Sequence, residues 1–227
     1  MRQFLHVAWI VVKKDLTVEV RSREILYTTL FFAVSCVIVF AIAFVRQGRP
    51  LTDAAAGILW VAVQFSGTLA LGRTFERERH TETLRALMLA PADRPAIYLG
   101  KLLGIFALLS VAEVILLPAV TLLFRAPLLA RPVPMILLLV SGTIGFCAVG
   151  TLFAAMLARA RSRDVLLPVL LYPMTIPVMI GGVMGTVALT QPEPQEALAW
   201  FWINLLVFWD VVFITLSMWT FDPLMTE

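Results

Sequence analysis

Six apolar runs, each near the length of a membrane crossing, limit this chain more than any other feature. A helix needs roughly 20 mostly apolar residues to cross a hydrocarbon layer about 30 Å thick. The runs are Ile25–Val45, Ala54–Leu71, Ile97–Phe124, Val133–Ala158, Val165–Thr190 and Leu198–Phe221. The second is short, and the third and fifth contain proline. Soluble chains are roughly 45–50% apolar and about 25% charged, whereas this one is 60% apolar and 15% charged. The predicted fold is an all-α integral membrane protein. Residues 25–227 form one six-span domain, with no length left for a second folded unit.

Loop charge sets the orientation, because Lys and Arg gather on the cytoplasmic side of short loops. The N-terminal segment, the 72–96 segment with Lys101, and "RARSRD" hold 14 of them, against 4 in the alternate loops. Both termini are therefore expected in the cytoplasm. Cys36 and Cys147 lie inside apolar runs and read as small hydrophobes, not as a disulfide or metal framework. The opening "MRQFLHVAWIVVKKD" is too short an apolar run and ends in charge, so no cleaved signal is expected.

Residues 1–24 mix Phe4, Val7, Trp9, Val11 and Val12 with Lys13, Lys14 and Asp15. That pattern predicts an amphipathic helix on the cytoplasmic leaflet, in contact with membrane lipid. A loose cytoplasmic tail is the alternative.

The densest block of charge is "RTFERERHTETLRALMLAPADRP", Arg73 to Pro95. A helix from Arg73 to about Ala90 places Arg73 near Glu76, Glu76 near Arg79 and Glu82 near Arg85. Each such pair adds a few tenths of a kcal/mol. Phe75, Leu84, Leu87 and Met88 gather on one side, Arg77 points to solvent, and Pro91 ends the helix. An amphipathic helix of this kind either rests on the membrane or docks a soluble partner, and the pattern alone serves both.

The run "FERERHTETLRALMLAPADRPAIYLGKL" resembles the segment after the second span of ABC-2-type permeases. The whole chain resembles the heme exporter protein B family of cytochrome c maturation, through "GILWVAVQFSGTLALGRTFERE" and "LLPVLLYPMTIPVMI". Phe75, Glu78, Thr83 and Leu84 match the family's loop. Thr81 and Glu82 depart from it, replacing an Asp-Gly turn with a stronger helix former. The resemblance implies a permease subunit that pairs with a second copy of itself and two ATPase subunits. The segment after the second span would be the coupling helix, with Leu87, Met88 and Pro91 completing it. No G-x-x-x-x-G-K-[ST] motif is present, so ATP and Mg are expected on the partner ATPase and no cofactor on this chain. Heme would be cargo of the complex. The implied partners are heme-handling membrane proteins and a periplasmic heme chaperone; no nucleic acid is expected. The implied location is the bacterial cytoplasmic (inner) membrane.

Ionisable groups inside a span are costly and invite a functional reading. Glu113 lies in the third span and Asp210 in the last, with Asn204 nearby. Two readings are open: hydrogen-bonded glue between helices, or a gate or polar lining of a lateral pathway. No Lys or Arg lies deep in another span to pair with them, so neutral carboxyls are expected. Pro168, Pro173 and Pro177, followed by "MIGGVMG", predict a kinked or broken fifth span, with its outer half a re-entrant pair of short helices. Gly142, Gly145 and Gly150 predict close packing in the fourth span. Trp200, Trp202, Trp209 and Trp219 predict an aromatic belt. His6 and His80 both fall on cytoplasmic segments, away from a heme delivered outside. The function expected is a permease subunit that couples a partner's ATP hydrolysis to heme delivery, or to release of a heme-loaded chaperone. The alternative is an ABC-2-type exporter subunit for a lipid, polysaccharide or drug. A membrane enzyme using Glu113 and Asp210 is a third reading, without an identifiable acid–base constellation.

Overall fold

In a computed structural model of the chain, residues 2–46, 49–50, 52–80, 93–157, 160 and 162–226 are described. Among them are seven helices: α1 (Arg2–Ser22), α2 (Glu24–Ala43), α3 (Ala55–His80), α4 (Arg94–Phe124), α5 (Pro132–Met156), α6 (Arg163–Thr190) and α7 (Glu196–Thr226). The last six are long and apolar enough to cross a membrane. Between α2 and α3, Val45–Arg46 pairs antiparallel with Arg49–Pro50.

Helix length tells where the bundle leaves the hydrocarbon. The 31 residues of α4 rise about 46 Å at 1.5 Å each, well beyond a layer about 30 Å thick. The surplus lies at the Lys/Arg-rich end, where α4 starts at Arg94. There α3 also outruns its apolar stretch, continuing past Leu71 to His80. From Arg73 to His80 the charged block is thus an extension of the second span rather than the start of a separate helix. At the opposite end, Thr52 Oγ1 donates to the Phe124 carbonyl at 3.4 Å, tying the α2–α3 connection to the end of α4.

Helix α1 packs along the first half of α4. A Cβ on Gly100 would lie 2.7 Å from the Val11 Cβ, so the two helices meet only because that side chain is missing. One turn on, Gly104 faces Asp15, as expected where small residues let helices approach. Asp15 binds Lys101 Nζ at 2.7 Å, and Lys101 is buried at 1% exposure. The chain then turns sharply at Arg23, whose φ of 55° is left-handed. Glu19 braces that turn: one carboxylate oxygen accepts the Leu26 N–H at 2.7 Å, and the other accepts Arg77 of α3 at 3.0 Å. The N-terminal segment is therefore a helix fixed to α3 and α4, not a loose tail.

Helix α5 is the centre, packed against α4, α6 and α7, and α3 lies across α4, α5 and α6. Its glycines receive large side chains: Gly142 meets Trp60, and Gly150 meets Leu71. Trp60 is also pressed on Gly182 of α6, and its Nε1–H donates to Thr186 Oγ1 at 3.0 Å. One indole thus locks three helices together.

The expected break in the fifth span is corrected. α6 is a single helix through Pro168, Pro173 and Pro177. Each proline leaves a carbonyl four residues earlier without its donor, but an irregular segment in lipid would strand more backbone groups than that. The prolines avoid the inner stripe, which is formed by buried Leu167, Leu171, Thr175 and Val178 at helical spacing.

Candidate functional site

The buried apolar residues form two separate clusters stacked along the bundle. One gathers at the Lys/Arg-rich end, around Ile25, Leu71, Phe75, Tyr98, Phe146, Leu171 and Phe213. The other fills the opposite half, around Val37, Val63, Leu116, Leu139, Val178 and Leu206.

A polar layer lies at the changeover. Glu113 falls between Leu109 of one cluster and Leu116 of the other, and Asp210 between Leu206 and Phe213. Thr143 falls between Leu139 and Phe146, Thr175 between Leu171 and Val178, and Gln64 between Val63 and Ala70. Every helix but the two at the N-terminal edge therefore places at least one polar side chain at this level.

Within the layer, the Thr143 hydroxyl donates to the Glu113 carboxyl. Gln64 Nε2 donates to Thr175 Oγ1 at 2.8 Å, and that hydroxyl donates onward to the Leu171 carbonyl at 3.0 Å. Asp210 is different. It is 7% exposed, and its Oδ1 has no hydrogen-bond partner among the described residues. Its place depends on Gly145, where a Cβ would stand 2.6 Å from that oxygen. Trp209 closes the site from the side, stacking on Phe213 with ring centroids 4.4 Å apart.

The two carboxyls meet α5 at different positions. Glu113 meets α5 at position 143 and Asp210 meets it at position 145, about 200° apart around a helix with 3.6 residues per turn. A dyad with one acid and one base needs both groups within reach of one substrate atom, and the two carboxyls form no hydrogen bond with each other among the described residues. Asn204, the other polar residue singled out in the last span, is exposed on the outer face of α7.

The root of the charged segment, at the Lys/Arg-rich end, forms a second group. Phe75 was expected on a docking face. It is instead 1% exposed, packed among Ile25, Leu71, Tyr98 and Leu102. Arg77 was expected in solvent, yet it forms the ion pair with Glu19. Glu78 lies in the last turns of α3. Thr83, Leu84, Leu87, Met88 and Pro91 lie outside the described residues.

The aromatic belt divides. Trp200 and Trp219 are exposed near the two ends of α7, about 28 Å apart along the axis by helical rise, close to one hydrocarbon thickness. Trp202 and Trp209 turn inward against the core. Reading residue by residue missed the Trp60 lock and the Asp15–Lys101 and Glu19–Arg77 pairs. The signals were present as glycines at 142 and 182 and as acids in an otherwise basic N-terminal segment.

A family model described as "CcmB protein" matches residues 6–223. Heme exporter protein B of Haemophilus influenzae is 26% identical over 170 residues, covering 75% of this chain and 76% of that protein. The proteins of that name from Escherichia coli K12 and Shigella flexneri are each 30% identical over 96 residues, 42% of this chain and 44% of theirs.

Proposed function

Because the chain belongs to the CcmB protein family, we propose that it is the permease subunit of an ATP-driven complex that serves heme transport in cytochrome c maturation, in the bacterial inner membrane. The match across residues 6–223 carries this reading. The chain lacks a phosphate-binding loop of the P-loop type; an ATPase partner supplies hydrolysis, and a second copy of the chain completes the permease.

The path of force is built from contacts already described. The coupling segment begins within α3, which is helical to His80. A push on it is resisted by buried Phe75 and by the Arg77–Glu19 pair, so it moves α3 instead of bending the loop. Trp60 carries that movement to α5 and α6 through Gly142 and Gly182. Those helices carry Thr143 and Thr175 of the polar layer, and Asp210 of α7 rests against Gly145 of α5. Rearrangement there is how ATP hydrolysis reaches the far side, where heme is delivered or a heme-loaded chaperone is released.

Leu84→Asp tests the reading. A charge desolvated without a partner costs several kcal/mol at an interface, enough to abolish micromolar association. The variant is expected to insert into membranes, lose co-purification of the ATPase and lose stimulated hydrolysis. Normal binding and stimulation would assign the segment to the membrane surface instead.

A further inference from the structure

A cleft of about 310 Å³ lies where α1, α2, α3 and α4 meet at the Lys/Arg-rich end. That size is in the range of small-molecule sites. Its character changes along its length. The mouth carries Asp15, Glu19, Arg23 and Arg77, while the inner wall is Leu26, Leu108 and Val111. From Gly104 to Val111 the wall climbs about 10 Å along α4, from the charged rim into the span. Tyr27 and Val111, both exposed, leave it open sideways.

Charge at the mouth selects the ligand. Asp15 is held by Lys14 at 2.9 Å and by Lys101 at 2.7 Å, and Glu19 by Arg77 at 3.0 Å. Arg23 completes the charged rim. Arg23 meets no carboxylate among the described residues. Its Nε donates to the Val20 carbonyl and one terminal nitrogen to the Tyr27 hydroxyl, both at 3.3 Å. A guanidinium has five donors in a fork that suits phosphate, so three stay open. Its left-handed backbone, φ 55°, turns the chain at the rim where α1 ends and α2 enters the membrane.

We propose that this cleft holds one phospholipid, with its phosphate on Arg23 and one acyl chain against Leu108 and Val111. An amphipathic anion is the ligand that satisfies the open Arg23 guanidinium at one end and an apolar wall at the other. The occupied cleft would fill the gap between α1 and the bundle, making the bound lipid part of the support for the α3 root.

Native mass spectrometry of the purified full-length chain, delipidated and then titrated with phosphatidylglycerol, tests this. The wild type is expected to retain one lipid per chain. Arg23→Gln should weaken retention about tenfold, the loss of one hydrogen bond to a charged group, while Arg23→Lys keeps part of it. Ala107→Trp, which fills the apolar wall, should abolish retention with helicity unchanged by circular dichroism. Equal retention by wild type and Ala107→Trp overturns the proposal. Displacement of the lipid by millimolar inorganic phosphate makes this a free-anion site and overturns it too. So does co-purification of a porphyrin in place of lipid.

Discussion

Gly142 and Gly182 decide whether Trp60 has a place to sit. Neither can carry a Cβ without displacing the indole, whereas Gly57, one turn from Trp60 on α3, has nothing within 4 Å of its missing Cβ. Gly142→Ala is expected to cost about 1–3 kcal/mol through overpacking. Gly57→Ala should gain about 1 kcal/mol in helix propensity. Thermal unfolding in detergent separates them, one midpoint falling and the other rising. Asp210 calls for a different experiment. A buried polar atom without a partner contributes little to stability, and replacing it with an apolar group of similar shape is neutral or favourable. Asp210→Leu is therefore expected to fold with an unchanged or higher midpoint and to lose cytochrome c maturation in a complementation assay. A lower midpoint would make Asp210 structural. Asp210→Asn, which keeps a polar group at Gly145, should retain more activity than the leucine variant.

At the scale of elements, α1 depends on its charges. Lys101 is almost wholly buried, and removing one partner of a buried pair leaves the other desolvated at a cost of about 3–5 kcal/mol. Lys14 also reaches Asp15, at 2.9 Å, so Lys101→Met should fall at the low end of that range, about 3 kcal/mol. Adding Asp15→Asn should recover part of the loss, because no orphan carboxylate then remains. Limited proteolysis between α1 and α2 reads the same event, with faster cleavage in the single variant than in the double. Without that recovery, the pair does not hold α1. Helix α6 makes a related point about backbone. Its three prolines lie off the inner stripe, so the helix tolerates them without turning into a broken segment.

For the whole molecule, the proposed permease has two copies of this chain. Native mass spectrometry of the assembled complex is expected to show two copies with two ATPase subunits, and a single copy would end that model of assembly. The exposed apolar faces of α2, α6 and α7 meet lipid or such a partner, since bilayer and helix are equally apolar and packing decides between them.

The six spans, the all-α class, the basic end and the family were legible in sequence. Each follows from composition within one stretch or from local motifs: hydropathy over twenty residues, charge in short loops, a recurring loop pattern. Residues carrying both local and distant consequences were read less well. Phe75 has the spacing of a docking face, but it is buried because Ile25, Tyr98 and Leu102 come to it from other helices. Arg77 faces solvent on an isolated helical wheel, and Glu19, 58 positions away, pairs with it and leaves its side chain only 26% exposed. Glu113 and Asp210 were singled out as costly, yet only packing sets them against different positions of α5 and leaves Asp210 Oδ1, against Gly145, without a hydrogen-bond partner among the described residues. Hydropathy is a property of each residue in its solvent, so sequence alone decided which segments enter the membrane. Partners depend on pairs drawn from distant positions, so the tertiary structure decided which side chains meet once they are there.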